Sequence, residues 1–350
     1  MAQATVITSP AETAERQAPR GQRLTLALKI LGRALAVLLV LVLAAGSLAV
    51  GAARIFCLGP SVAARDLFVV SCEETSALKF VPRLFLSQEE IEAVFLRNSV
   101  AASDEVTSRG LTFEEPAAGD SAQPDIALHD ISGETYKGKL MVIKDPSRVK
   151  LATIPAFGEE ASGRRIEDFV ADSAAVAGIN AGGFEDENGV GTGGQPVGLI
   201  IQGGVLRCGS AAGSYDVVGF DSDDRLVVGR MTGGAAMSRG IRDAVSFGPV
   251  FIVNGNASEV AGWGGGLNPR TVIGQRADGA VLMLVIDGRQ PSSLGATYRD
   301  CIDIMLEYGA VNAANLDGGS SSVMVYGGEI INVCASIYGS RQQPGAFIVI

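Results

Sequence analysis

The longest apolar segment of the chain lies near its N-terminus. Residues 34–53, ALAVLLVLVLAAGSLAVGAA, are uncharged and mostly apolar over twenty consecutive positions. As an α-helix with a rise of about 1.5 Å per residue, the segment would be about 30 Å long, which is the thickness of a bilayer core. The pattern predicts a retained transmembrane anchor. A cleaved signal peptide is the alternative, because Ala49, Gly51 and Ala53 are small enough for a cleavage site.

Helical periodicity follows the apolar segment. Apolar residues recur near helical spacing, and Ser87 with Glu90 three residues later forms a capping-box pattern. We therefore predict a helical stalk over residues 54–97. Two interpretations stay open for it: a membrane-proximal stalk or oligomerising helix pair, or a short spacer that packs against its own domain. Residues 98–124 are small, polar and without periodicity, which predicts a linker.

From residue 125 onward, short apolar runs alternate with glycine-containing turns. Such runs predict β-hairpins when the turn residues are Asn-Gly, Asp-Gly or Gly-Gly. The hairpins predicted in this way cover residues 200–206, 251–256, 272–287 and 323–333. Helical faces are expected around Ile166 and Ile302, and a strand at 346–350. The pattern predicts an α+β domain over residues 125–350, with a mixed, largely antiparallel sheet and few helices.

The distribution of charge sets the expected topology. The chain has a formal net charge of −10, but residues 1–56 carry a balance of +4 and the remainder a balance of −14. Because basic residues before an anchor favour the cytoplasmic side, we expect residues 1–33 to form a cytoplasmic basic tail and the domain to be extracytoplasmic at the cell membrane. The acidic body argues against nucleic acid as a partner.

The residue types present narrow the chemistry. The five cysteines form no C-x-x-C pair, which argues against a zinc or redox knuckle, and one disulfide among Cys208, Cys301 and Cys334 stays open. His129 is the only histidine, so no Ser–His or Cys–His catalytic pair is expected. Carboxylates, arginines, amides and hydroxyls are left as candidate groups.

Four glycine-containing turns concentrate these groups. They are INAGGFEDENG (179–189), LNPRTVIG (267–274), VIDGRQPSS (285–293) and NLDGGSSS (315–322). Polar side chains at the ends of buried strands are held rigidly, as a binding site needs. Taken singly, each turn is also explained as an ordinary turn, a surface loop or a structural ion pair, and GGFED as a calcium loop.

The chain resembles the phosphodiester glycosidase family in a series of segments taken in order: INAGGF, PVGLIIQGG, FGPVFIVNG, NPRTVIGQ, VIDGRQ and NAANLDGGSSSVMV. The resemblance covers roughly residues 126–350, and the anchor and stalk are not part of it. Members of this family include a lysosomal enzyme and bacterial surface proteins described as exopolysaccharide-associated. The resemblance implies a hydrolase that acts on sugar-1-phosphodiesters, here in a cell-envelope or exopolysaccharide glycan.

The implied reaction breaks the bond between an anomeric carbon and a phosphate oxygen. Two carboxylates usually serve the oxocarbenium-like transition state of such reactions. A phosphate monoester, whose second pKa is about 6, departs with little help from an acid. Under this resemblance we expect Asp317 as the first catalytic carboxylate, Asp287 as the second and Glu185 as a reserve. The residues expected to bind substrate are Asn180 on sugar hydroxyls, Arg270 and Arg289 on the phosphate, Thr271, and Gly318, Gly319, Ser320 and Ser321 as a cradle.

Two other functions stay open at this stage. No cofactor is certain, but a divalent cation held by Asp287 and Asp317 is an alternative, and it fits a metal-dependent phosphodiesterase. The second is a non-catalytic polysaccharide-binding or assembly protein on the same fold. The chain has one tryptophan, Trp263, which offers little surface for stacking on sugars and counts mildly against that function.

Overall fold

The computed structural model describes residues 20–75, 77–110, 112–114, 124–186, 191–336 and 338–350. The chain divides into two compact units, residues 1–55 and residues 56–350. The predicted cytoplasmic tail at 1–33 therefore lies partly outside the described residues.

One long apolar helix accounts for the described part of the first unit. This helix, α1 (Arg20–Leu58), ends in the first residues of the second unit. Its part from Leu24 to Leu58 is long and apolar enough to cross a membrane, and the predicted anchor at 34–53 lies inside it. An N-terminal signal sequence can meet the same criteria of length and hydropathy, so the choice between the two stays a prediction.

The second unit is built mainly from strands. Its α-helices are α2 (Val62–Glu73), α3 (Phe80–Arg83), α4 (Gln88–Leu96), α5 (Ile166–Asp172), α6 (Gly233–Ser238) and α7 (Tyr298–Glu307). Its strands are β1 (Ile126–Ser132), β2 (Lys137–Ile143), β3 (Val149–Thr153), β4 (Ala177–Asn180), β5 (Ile200–Gln202), β6 (Val205–Cys208), β7 (Ser214–Asp221), β8 (Leu226–Thr232), β9 (Ile241–Ser246), β10 (Val250–Val253), β11 (Asn256–Ala257), β12 (Arg270–Arg276), β13 (Val281–Ile286), β14 (Ala310–Leu316), β15 (Met324–Tyr326), β16 (Glu329–Ile330) and β17 (Gly345–Val349). Short 3₁₀ helices occupy Pro146–Arg148 and Gly319–Ser321.

These strands form three antiparallel sheets in the described chain. A seven-stranded sheet has the order β1-β2-β13-β12-β14-β10-β11. Two five-stranded sheets have the orders β16-β15-β4-β17-β3 and β6-β5-β9-β7-β8. β12 and β13 are joined by a tight turn, whereas β14 reaches its place between β12 and β10 only after α7. The arrangement confirms the predicted α+β class.

Glycine pairs form the predicted hairpin turns. Gly203 and Gly204, between β5 and β6, have φ values of 57° and 76°, and Gly327 and Gly328, between β15 and β16, have values of 60° and 84°. Type I′ turns require two consecutive positive φ angles, which glycine adopts without steric cost. These pairs therefore set the register of the two hairpins.

β13 lies in the middle of the core and is buried on both faces. Leu282 and Leu284 pack in one cluster with Ile302 of α7, while Met283 and Val285 belong to a second cluster shared with both five-stranded sheets. Successive side chains of a strand point to opposite faces, so alternate residues of β13 contact different layers. This explains why its sequence is an uninterrupted apolar run.

The three cysteines considered for a disulfide lie in different parts of the second unit. Cys208 packs against the large central cluster, Cys301 belongs to the cluster around α7, and Cys334 packs beside α5. All three thiols are unpaired. The structure therefore gives no support to a bridge among them.

The region predicted as stalk and linker packs against the strand-rich part of the second unit. α2 and α4 share an apolar cluster that includes Val69 and Ile91. Asn98 Oδ1 accepts a hydrogen bond from the Trp263 N–H (3.1 Å), and the buried Thr107 hydroxyl accepts one from the backbone of β8 (3.0 Å). Of the two interpretations of the helical region 54–97, these contacts favour a spacer that packs against its own domain over an oligomerising helix pair.

Candidate functional site

The ends of three strands converge on one cleft. β4 ends at Asn180, β12 begins at Arg270 and β14 ends at Leu316, and loops attached to these ends line a cleft of about 1020 Å³. The sequence-predicted residues in its wall are Arg270, Arg289, Asp317, Gly318, Gly319, Ser320 and Ser321. Other residues in the wall, among them Glu74, Asp186, Asn315 and Arg341, were not singled out from the sequence.

Asp317 presents a largely desolvated carboxylate in the cleft wall. Its backbone N–H donates to the carbonyl oxygen of Ala181 (3.0 Å), and its Oδ1 accepts from the Gly318 N–H (3.0 Å). Burial raises the pKa of Asp317 to about 6, against the opposing effects of the Ser321 hydroxyl and Arg341. A carboxyl group with such a pKa changes its charge near neutral pH, which is a property of catalytic acids and bases.

Asn180 and Thr271 hold the backbone at Asp317 and do not line the cleft. Both side chains are fully buried. Asn180 Nδ2 donates to the carbonyl oxygen of Asp317 (2.6 Å). Asn180 Oδ1 accepts from the Thr271 hydroxyl (2.7 Å) and from the Val323 N–H (3.2 Å). In place of the expected contacts with substrate, the structure gives these two residues a positioning role.

Most backbone N–H groups in the turn after Asp317 already donate to oxygen atoms of the protein. The Gly318 N–H donates to Asp317 Oδ1, the Gly319 N–H to Pro269 O (2.9 Å) and the Ser321 N–H to Gly318 O (3.1 Å). An anion nest needs backbone N–H groups that point freely at the ligand. The backbone N–H groups of Gly318, Gly319 and Ser321, which were expected to cradle the phosphate, are therefore occupied in stabilising the turn.

Arg270 is enclosed by acceptors on every side. Its Nη2 donates to Glu74 Oε2 (2.7 Å) and to Gly266 O (2.6 Å), and its Nε donates to Ala296 O (3.1 Å). The guanidinium carbon lies 4.0 Å from the ring centroid of Tyr298, within cation–π distance. Because Arg270 is 5% exposed and already neutralised, it shapes the cleft and is not free to bind the phosphate.

Glu74, the residue that follows α2, comes from the predicted stalk. Besides Arg270, its carboxylate accepts from Asn268 Nδ2 (2.7 Å) and from the Gly266 N–H (3.2 Å). Glu74 and Arg270 are 196 positions apart. No local sequence pattern marks such a pairing, so sequence reasoning had no signal by which to find Glu74.

Arg289 is the expected phosphate ligand that the structure leaves available. Its Nη2 donates to two neutral oxygens, Asn268 Oδ1 (3.1 Å) and Thr75 Oγ1 (3.3 Å), and within the described chain no ion pair joins it to a carboxylate. Desolvation, with the neighbouring charge of Arg270, lowers the pKa of Arg289. Its φ of 60° is unusual for a non-glycine residue, and such strain concentrates at functional sites. Gly319 leaves room for it, since a Cβ there would lie 3.0 Å from Arg289 Nη2.

A second charged pair lines the cleft beside Asp317. Arg341 donates through Nη1 to Asp186 Oδ2 (2.6 Å) and through Nη2 to Asp186 Oδ1 (2.8 Å), above the ring of Phe184. This bidentate pairing lowers the pKa of Asp186. Glu185, the reserve carboxylate, instead lines an adjoining cavity. The predicted INAGGFEDENG loop thus contributes Asp186 to the cleft wall, and its residues 187–189 lie outside the described ones.

Asp287 does not belong to the cleft wall. Its Oδ1 accepts from the Val333 N–H (2.8 Å) and from Asn332 Nδ2 (3.2 Å), which ties the turn after β13 to the loop after β16. Burial raises the pKa of Asp287. No group of three or more His, Cys, Asp or Glu side chains able to hold a metal ion occurs in the described ranges, and Asp287 and Asp317 do not face each other across the cleft.

Comparisons with known proteins identify a family and a curated relative. A family model described as phosphodiester glycosidase matches residues 173–350. The SPbeta prophage-derived uncharacterized protein YomE of Bacillus subtilis (strain 168) is 34% identical in an alignment 170 positions long, which covers 45% of this chain and 25% of that protein. The match thus spans about a quarter of the length of this relative.

A solved structure shares the fold. The catalytic domain of zebrafish N-acetylglucosamine-1-phosphodiester alpha-N-acetylglucosaminidase, auto-inhibited by its pro-peptide, matches with a TM-score of 0.53 and 17% sequence identity. The match covers 70% of this chain and 87% of that chain. At this identity the likeness is one of fold.

The ion pair between Glu74 and Arg270 attaches the end of α2 to the cleft wall. The substitution Glu74→Ala tests how much this pair stabilises the fold. Removing one partner of a buried ion pair leaves an uncompensated charge, which costs about 3 kcal/mol. We expect the free energy of unfolding to fall by that amount in the full chain in detergent. Urea unfolding followed through Trp263, which lies where the α2–α4 region meets the domain, measures it.

The neighbouring Glu73 provides the matched control. It pairs with Arg83, whose side chain is 53% exposed, so Glu73→Ala leaves a solvated arginine and lowers stability much less. Equal losses in the two variants would contradict the role given to Glu74.

Proposed function

Because the chain belongs to the phosphodiester glycosidase family, we propose that it hydrolyses sugar-1-phosphodiesters in the cleft described above. The observation that carries the proposal is the division of charge in the cleft wall. Arg270 and Arg341 there are neutralised by carboxylates, whereas Arg289 and the exposed Arg165 have no carboxylate partner in the described chain, and Asp317 in the same wall is a carboxylate with a raised pKa. This set fits a substrate with one anionic phosphate attached to a carbon that becomes electron-poor during reaction.

Arg289 binds the phosphodiester in this proposal. A guanidinium held by neutral oxygens keeps an uncompensated positive charge, and a phosphate oxygen satisfies it through charge-assisted hydrogen bonds. Asn268 and Thr75 fix the orientation of the side chain, and the Ser320 hydroxyl in the same wall adds a donor. The acidic net charge of the chain does not prevent binding, because an arginine without a carboxylate partner acts on a phosphate at short range.

Asp317 acts on the anomeric carbon in its ionised form. Its carboxylate stabilises the oxocarbenium-like transition state, either by attacking the carbon or by taking a proton from the attacking water. The carbon–oxygen bond breaks and its electron pair leaves with the phosphate monoester. Because this leaving group is weakly basic, with a second pKa of about 6, the step needs no strong acid, in keeping with a cleft wall without histidine.

We further propose that the sugar-1-phosphodiester substrate belongs to a cell-envelope or exopolysaccharide glycan. α1 supports attachment to a membrane, and the excess of basic residues before its apolar segment 34–53 supports a cytoplasmic N-terminus with the cleft outside. The zebrafish enzyme carries N-acetylglucosamine-1-phosphodiester in its name, which supports a sugar-1-phosphodiester as the bond that is cut.

The substitution Asp317→Asn tests the chemical step. It keeps the shape of the side chain and removes the charge, so we expect sugar release from a synthetic methyl phosphodiester of glucose 1-phosphate or N-acetylglucosamine 1-phosphate to fall about 10³-fold, within the range for removing a group that takes part in proton transfer. The assay uses the full chain in detergent and measures free sugar.

Asp287→Asn is the control for this experiment. It removes the same charge from a carboxylate outside the cleft wall, and we expect less than a tenfold effect. Sugar release at the wild-type rate in Asp317→Asn, or a large loss confined to Asp287→Asn, would contradict the assignment of Asp317.

The raised pKa of Asp317 also predicts the pH dependence of the reaction. If the ionised carboxylate acts, kcat/KM rises as the proton is lost and reaches half its plateau near pH 6. The negative charge of Asp186 contributes to the raised pKa, so Asp186→Asn shifts the midpoint to lower pH. A rate that falls between pH 6 and pH 8 would instead mean that the protonated form acts.

A further inference from the structure

Asn315 carries a buried hydrogen-bond acceptor without a partner in the cleft wall. The residue lies in β14, two positions before Asp317, and is 2% exposed. Among the described residues, its Oδ1 is one of few buried side-chain nitrogen and oxygen atoms without a hydrogen bond. A buried carbonyl oxygen left unpaired costs about 1–3 kcal/mol, and because Asn315 lines the cleft, a bound ligand can supply the missing donor.

The orientation of the Asn315 amide is fixed by its other contact. Nδ2 donates to the carbonyl oxygen of Gly248 (2.9 Å), which accepts hydrogen bonds and cannot donate them. Turning the amide around would place two carbonyl oxygens against each other, so the free atom must be the oxygen. The backbone N–H of Asn315 also donates to Pro249 O (3.0 Å), which locks the residue to the same segment.

The position of this oxygen relative to Asp317 identifies the part of the substrate that meets it. Asp317 directly follows β14 and is two positions from Asn315, so the Cα atoms of the two residues lie at most about 7 Å apart, and both residues line the cleft. With the anomeric carbon at Asp317, a group at that distance belongs to the same sugar ring. Phe247, beside Gly248 in sequence, also lines the cleft and offers the apolar surface that a sugar ring packs against.

We propose that Asn315 Oδ1 accepts a hydrogen bond from a hydroxyl or amide N–H on the sugar ring of the substrate, and that Asn315 is thereby a specificity residue. The inference rests on the proposed function, because it takes the ligand to be a sugar phosphate. A site built to pair with a substrate donor rejects an analogue without that donor, since the buried acceptor would then stay unpaired.

The test compares binding of a sugar series to the wild type and to Asn315→Leu, which has a similar volume and no acceptor. The ligands are glucose 1-phosphate, its four monodeoxy analogues and N-acetylglucosamine 1-phosphate, and calorimetry on the full chain in detergent gives each Kd. We expect the wild type to bind at least one parent compound ten or more times more tightly than the analogue that lacks the donor. In Asn315→Leu that ratio falls to about one, while the ratios for the other positions stay as they are.

Gln343→Met is the matched control. Gln343 is also a fully buried amide whose Nε2 is bonded (3.0 Å, to Ser321 O) and whose Oε1 is unpaired, but it does not line the cleft. All ratios should therefore match the wild type. If Asn315→Leu is not recovered as a folded protein, Asn315→Ala gives the same comparison.

The outcomes separate this inference from the proposed function. Ratios that are the same in the wild type and in the Asn315 variant, with the sugar phosphates bound, contradict the role of Asn315 alone. Failure of the wild type to bind any of the sugar phosphates contradicts both that role and the proposed substrate class.

Discussion

The hydrogen bond from the Asn180 amide to the Asp317 carbonyl oxygen joins two sheets at the point where the cleft opens. Asn180 ends β4 in a five-stranded sheet, while Asp317 follows β14 in the seven-stranded sheet, and the bond between them is 2.6 Å long. The oxygen of the Asn180 side-chain amide, Oδ1, accepts a hydrogen bond from the hydroxyl of Thr271 in β12 (2.7 Å). Because this asparagine is fully buried and uses both ends of its amide, the position of Asp317 depends on the packing of the two sheets.

The arginines of the cleft show how a chain of net charge −10 can offer an anion site. Arg270 is neutralised by Glu74 and serves as structure, and Arg341 is neutralised by Asp186 and borders Asp317. Arg289 is held by neutral groups, so its charge stays uncompensated and, in the proposed function, meets the phosphate. Local pairing, rather than total charge, therefore decides where an anion binds.

The fold class and the presence of Asp317 and Arg289 in one cleft could be predicted from the sequence because both leave local signals. Hairpins appear as apolar runs around glycine pairs, and Asp317 and Arg289 stand in turns that follow buried strands. The roles of Asn180, Thr271 and Arg270 could not be assigned in this way, since a polar residue beside a strand end can face either the cleft or the interior.

The residues that sequence reasoning missed depend on distant partners. Glu74 lies in a region without any motif of the site, and its role exists only through Arg270, 196 positions away. The free oxygen of Asn315 is defined by a contact with Gly248, which a sequence does not reveal. Predicting such residues requires knowledge of which backbone groups lie opposite them, and only the assembled sheets provide it.

Cleavage of the bond between the anomeric carbon and oxygen is the central step of the proposed reaction, and an isotope experiment tests it most directly. Hydrolysis of a sugar-1-phosphodiester is carried out in water enriched in ¹⁸O, and the phosphate monoester product is examined by ³¹P NMR, which resolves phosphate oxygens by isotope. If Asp317 directs water to the sugar carbon, the phosphate monoester contains no ¹⁸O. Incorporation of ¹⁸O into the phosphate would show that the phosphorus–oxygen bond breaks, as in a phosphodiesterase, and would contradict the account.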